Sequence, residues 1–124
     1  MPAAPAGPLR TMLDLVAADP AADHTLTSMA LRAGVSTRHL TRLCREQLGM
    51  TATRFVERSR IEVAQRLLTG GVPVTATAQA SGFGSDETMR RAFLRHLSIT
   101  PTAYRERFST THRLFSQGRP AWGD

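Results

Sequence analysis

The chain carries one pattern twice, so whatever it folds into must house two similar units. Ala30 pairs with Ala78 and Gly34 with Gly82, an offset of 48. Past the turn the offset becomes 49, because Phe83-Gly84 stand where the first copy has Val35 alone. Ser36 then pairs with Ser85, Leu40 with Met89, Cys44 with Phe93, Leu48 with Leu97, Thr51 with Thr100 and Phe55 with Tyr104. Caps, apolar positions and breakers that recur together mark a supersecondary unit used twice.

The first copy shows what the unit is. Thr27 is suited to N-cap a short helix over residues 28–33 with Met29 and Ala30 inward, and Gly34 to take a left-handed position after it. Ser36 caps Thr37–Leu48, which turns Leu40, Leu43, Cys44 and Leu48 inward and Arg38, Thr41, Arg42 and Arg45 outward before Gly49 ends it. A short helix, a tight turn with glycine and a second helix form a helix-turn-helix pattern. Its outward arginines either enter a DNA major groove or solvate the surface of a plain helical hairpin; one copy leaves both open.

In the second copy the outward positions are Asp86, Glu87, Arg90 and Arg91, with Arg95 a turn further on. Acids at a helix start complement the positive end of its dipole and can also accept from cytosine N4; the two readings are compatible. Thr77 gives this copy's first helix a thinner apolar face than Met29 gives the first. Ser98 stands where the first copy has Gly49, and a non-glycine residue in a left-handed cap costs about 1 kcal/mol. Thr100 and Pro101 then open a last helix, Pro101–Phe108, as N-cap and first-turn proline.

Residues 51–69 lie between the copies, with no Gly or Pro from Ala52 to Leu68. Thr51 caps this stretch and Gly70, Gly71 and Pro73 stop it. Ile61, Ala64 and Leu68, with Leu67 beside them and Phe55 leading in, make the apolar stripe of a linking helix expected to bind both units and set their spacing. Upstream, Leu9, Met12, Leu13 and Val16 predict a helix over 9–18, ended at Asp19-Pro20. The expected plan is a flexible lead-in (1–8), a first unit (9–50), the linking helix (51–69), a second unit (70–108) and a flexible tail (109–124) in which Trp122 is incidental. The fold class is all-α: two tandem helix-turn-helix units joined by a long linking helix, about seven helices.

Composition narrows the functional classes. The 124 residues carry a net charge of +6, and all 16 basic residues are arginine. Codon bias is one explanation; in either case every cation is a planar fork suited to phosphate or guanine. Cys44, the one cysteine, excludes an internal disulfide and agrees with a reducing compartment; it reads as a small buried hydrophobe. No apolar run has membrane-spanning length and no signal segment opens the chain, so a cytoplasmic location is expected. His24, His39, His96, His112 and Cys44 lack metal-ligand spacing, and no nucleophile–base set or phosphate-cradling loop occurs. Neither an enzyme nor a cofactor or metal is expected.

Three stretches, ALRAGVSTRHLTRLCREQLGMT, RIEVAQRLL and SGFGSDETMRRAFLRHLSITPTAYRERF, resemble the C-terminal DNA-binding domain of AraC/XylS-family transcription regulators over residues 9–108. The last is the most specific: G-F-x-S, then R-x-F, then P-x-x-Y-R. The lead-in is similar to the linker of members that carry an amidotransferase-like domain upstream. The resemblance implies a sequence-specific double-stranded DNA-binding regulator that places two recognition helices in successive major grooves. Base-reading candidates are then Arg38, Thr41 and Arg42 in the first helix and Asp86, Glu87, Arg90 and Arg91 in the second. Ser36, Thr37, Arg45, Ser85, Thr88, Arg95 and Thr102 fall on the phosphate side, where contacts set register and affinity. Monomeric binding to DNA through the two units is expected, with RNA polymerase as a further candidate partner. The competing reading is a helical protein-interaction module that does not read DNA.

Overall fold

Caps and breakers divide the chain into seven helices. In the computed structural model, which describes residues 6–109, these are α1 (Gly7–Ala18), α2 (Leu26–Ala33), α3 (Thr37–Leu48), α4 (Ala52–Thr69), α5 (Val74–Ser81), α6 (Asp86–Leu97) and α7 (Pro101–Phe108). No strand occurs among the described residues, and the fold is all-α. The helices fall into two compact units that divide between Ser59 and Arg60, inside α4.

The first unit packs Leu9, Met12 and Val16 of α1, Met29 and Ala30 of α2, Leu40 and Cys44 of α3, and Ala52 and Val56 of α4 into one buried cluster. Helix α1 begins at Gly7, two residues before the expected start, because Pro8 lies in the first turn, where its missing N–H leaves no bond unmade. Helix α2 also starts early: Thr25, not Thr27, is its N-cap, and its side chain accepts from Ser28 N at 3.2 Å. Asp23 Oδ1 accepts from Thr25 N at 3.1 Å, a local turn that presents Thr25 as the cap. The earlier start packs Leu26 against the core. His24 is buried beside this turn; its Nε2 lies 2.6 Å from Asp19 O and so donates to it, leaving Nδ1 without a partner.

The second unit buries Ile61, Ala64 and Leu68 of α4, Ala78 of α5, Phe83, and Met89, Ala92 and Phe93 of α6. Phe93 meets Tyr104 of α7 edge-on, centroids 5.8 Å apart and planes at 77°. Gly71, at φ 89°, ends α4, with Val72 N on Leu67 O and Gly71 N on Leu68 O, both at 3.0 Å. Arg105 of α7 donates Nε to Val72 O at 3.1 Å and Nη2 to Gly71 O at 2.8 Å, which ties α7 to the α4–α5 turn. Thr77 is fully buried, but its hydroxyl donates to Pro73 O at 2.9 Å, so the thin apolar face of α5 leaves no polar group unpaired there. Ser98 adopts φ 58° and ψ 27°, the left-handed cap expected of it. Ser109, placed by sequence in the tail, caps α7 through its N–H on Arg105 O at 2.8 Å and is buried. Residues 110–124, with Trp122, lie outside the described residues.

Candidate nucleic-acid interface

In the first unit, Gly34 at φ 73° lets Val35 N reach Ala30 O at 3.0 Å, and Ser36 then caps α3 by accepting from His39 N at 3.0 Å. These two bonds set the angle at which α3 leaves α2. Because Leu40 and Cys44 are drawn into the core, Arg38, Arg42 and Arg45 are exposed at i, i+4 and i+7, with Thr41 half-exposed among them. Ser36 and Thr37 are exposed at the start of the same helix. Arg42 Nε lies 3.9 Å from Glu46 Oε1. An exposed pair at that distance holds the guanidinium weakly.

In the second unit the extra turn residue is absorbed by two left-handed glycines, Gly82 at φ 94° and Gly84 at φ 84°, which let Phe83 between them turn into the core. Gly84 N reaches Ala78 O at 3.1 Å, and Gln79 Nε2 donates to Gly84 O at 2.7 Å. Ser85 caps α6 by accepting from Thr88 N at 3.2 Å and donates to Thr88 Oγ1 at 2.9 Å. Asp86, Glu87, Arg90, Arg91 and Arg95 are all exposed. The two acids have partners within the unit: Asp86 Oδ2 accepts from Thr75 Oγ1 at 2.9 Å, and Glu87 Oε1 accepts from Arg91 Nε at 2.9 Å with Arg90 Nη1 at 3.6 Å.

Thr102, exposed in the first turn of α7, lines a recess of about 230 Å³ together with Arg90, Glu87, Asp86, Thr100 and Val74. Thr100 caps that helix by accepting from Ala103 N at 3.1 Å. The recess thus joins one guanidinium and two carboxylates to a helix start. Leu94 is 38% exposed at the position following Arg90 and Arg91 along the face. Sequence reasoning passed it over, although the offset of 49 maps it onto Arg45.

The chemistry on offer is hydrogen-bond donation by permanently charged forks. Away from these faces, burial pushes the Cys44 thiol up from its ordinary value. Among the described residues no group of His, Cys, Asp and Glu could hold a metal ion, and no helix is long and apolar enough to cross a membrane.

Two helix-turn-helix units with guanidinium groups on the faces their cores do not use define a class, the tandem helix-turn-helix domains. Comparisons agree with that class. A helix-turn-helix domain family model matches residues 29–107. An HTH-type transcriptional regulator of Mycobacterium tuberculosis is 42% identical over 87 residues, 69% of this chain and 34% of that protein. Multiple antibiotic resistance protein MarA of Escherichia coli is 26% identical over 98 residues, 78% of this chain and 77% of MarA. Among solved structures, the DNA-binding domain of the global transcriptional factor AdpA, in complex with a target DNA, superposes with a TM-score of 0.78 at 29% identity. That match covers 83% of this chain and 94% of the AdpA domain. The chain belongs to the AraC family of helix-turn-helix transcription regulators and corresponds to its DNA-binding domain. It spans about a third of the length of its Mycobacterium relative.

Proposed function

We propose that the chain binds double-stranded DNA sequence-specifically as a transcription regulator, with α3 and α6 each entering a major groove. The observation that carries this is the exposed guanidinium row on each of these helices, opposite the residues that build the core. Arg38, Thr41 and Arg42 on α3 and Arg90 and Arg91 on α6 read bases. Ser36, Thr37, Arg45, Ser85, Thr88, Arg95 and Thr102 meet phosphates. Asp86 and Glu87 stand at the same helix start as further base-reading candidates, and in the free chain they accept from Thr75 and Arg91. In this reading the chain acts as a monomer at cytoplasmic DNA, and RNA polymerase is its second partner.

Selection from a pool of random duplexes tests the proposal. An enriched motif is expected. Arg42→Ala should then cost about 1–3 kcal/mol on that motif and relax one base position. A loss spread evenly over all sequences would make Arg42 a phosphate contact. A pool with no enrichment would favour the protein-interaction module instead.

A further inference from the structure

The two recognition helices turn corresponding positions outward but differ in internal electrostatics. Helix α3 has no acid in its first turn, whereas α6 has two. At the offset of 49, Glu87 occupies the place of Arg38, and Arg90 and Arg91 the places of Thr41 and Arg42. One oxygen of Glu87, Oε1, faces both arginines: Nε of Arg91 at 2.9 Å, a charge-assisted hydrogen bond, and Nη1 of Arg90 at 3.6 Å. In α3 the corresponding acid comes late, at Glu46, and stands 3.9 Å from Arg42. Asp86 is held by Thr75 instead.

We propose that Glu87 is a discrimination residue for the second unit, an internal competitor that DNA must displace from Arg90 and Arg91. The inference rests on the DNA-binding reading above. A phosphate is, like the carboxylate, an anion whose oxygens meet the guanidinium fork, so exchanging one anion for the other gains little. A guanine edge offers two acceptors in the plane of the fork, and that exchange is favourable. Glu87 therefore lowers affinity for arbitrary duplex more than affinity for the right site. The first unit, without this competitor, supplies the less selective grip.

The near-isosteric variant Glu87→Gln, which removes the negative charge, separates this role from its rivals. Exposed pairs of this kind shift an equilibrium by about two- to fivefold. Glu87→Gln should gain that factor on random duplex, gain less on the selected motif, and so narrow the ratio between them. Glu106→Gln, an exposed acid on α7, is the charge-matched control and should leave the ratio unchanged. An equal gain on both duplexes would reduce Glu87 to net charge. A loss on the motif with altered preference at one base would make it a base reader. Either result overturns the proposal.

A protein-only measurement stands beside these. The Nε–H of Arg91 should exchange with solvent more slowly in the free wild-type chain than in Glu87→Gln. Equal exchange rates would overturn the pairing on which the competitor depends. If the wild type bound neither duplex, the DNA-binding reading would fall, and the competitor role with it. Slow Arg91 exchange in that case would show the ion pair intact, so the failure would lie in the DNA reading.

Discussion

Two single residues show how local chemistry sets stability in this fold. Ser98 is the one non-glycine residue with positive φ among the described residues, and its N–H reaches Leu94 O at 3.1 Å as a glycine's would. The side chain is exposed, so little packing offsets the steric cost of the left-handed backbone. Ser98→Gly should raise stability by about 1 kcal/mol in urea unfolding. A decrease would mean that the hydroxyl makes a bond worth more than the strain. Cys44 is the opposite case, fully buried with its Sγ 3.7 Å from Met12 Sδ. Burial raises the thiol's pKa in the folded chain, so the folded state holds that proton more tightly than the unfolded state does. The resulting stability is present below the ordinary value of 9.0 and is lost as pH rises from there through the folded value. Urea midpoints should therefore fall above pH 9 in the wild type and fall less in Cys44→Ala. The left-handed caps at Gly34 and Ser98 were legible in the sequence because few residues tolerate that conformation; those at Gly71 and Gly84 were not. The choice of Thr25 over Thr27 as cap was not, because both are good caps. Asp23 decided between them through a turn that only the folded backbone displays.

At the scale of elements, α4 is the one helix both cores draw on. Ala52 and Val56 enter the first cluster, and Ile61, Ala64 and Leu68 enter the second. Ser59, where the units divide, returns its hydroxyl to Phe55 O at 3.0 Å, a bond that tends to bend a helix but leaves the backbone ladder intact. Proline at Val63 would remove the N–H that serves the preceding turn and would clash with its carbonyl. Val63→Pro should cost about 3 kcal/mol or more in denaturant unfolding, and a cost below about 1 kcal/mol would show that α4 is interrupted in solution. The boundaries of α3, α4 and α7 were readable from caps and breakers. In the sequence the apolar stripe of α4 is legible from Ile61 onward, with Phe55 before it, because Ala52 and Val56 serve a different core. The arginine faces were legible from helical period alone. The bonds that engage the acids of α6 were not equally so. Glu87 and Arg91 stand four apart on one helix, but Thr75 reaches Asp86 across a turn whose geometry depends on Gly82, Gly84 and the burial of Phe83.

For the whole molecule, the decisive quantity is how binding responds to salt, because it separates charge that merely decorates the surface from charge that displaces counterions. The chain is +6 overall, and its exposed arginines stand on faces that neither core uses. If these faces meet the duplex, log K should fall linearly with log salt, by about 0.9 for each phosphate neutralised. The slope can also be divided among residues. Arg45 is assigned to a phosphate, so Arg45→Ala should weaken binding to all sequences alike and lower the slope by about one. Arg42 is assigned to a base, so its loss should change preference while the slope moves less. Fluorescence-anisotropy titrations of wild type and both variants across a salt series would measure all three slopes. A flat wild-type slope would contradict groove binding by either unit, since no arrangement of arginines against phosphates escapes counterion release. Equal slope changes in the two variants would show that the division of α3 into reading and positioning residues is wrong, even though the face itself binds.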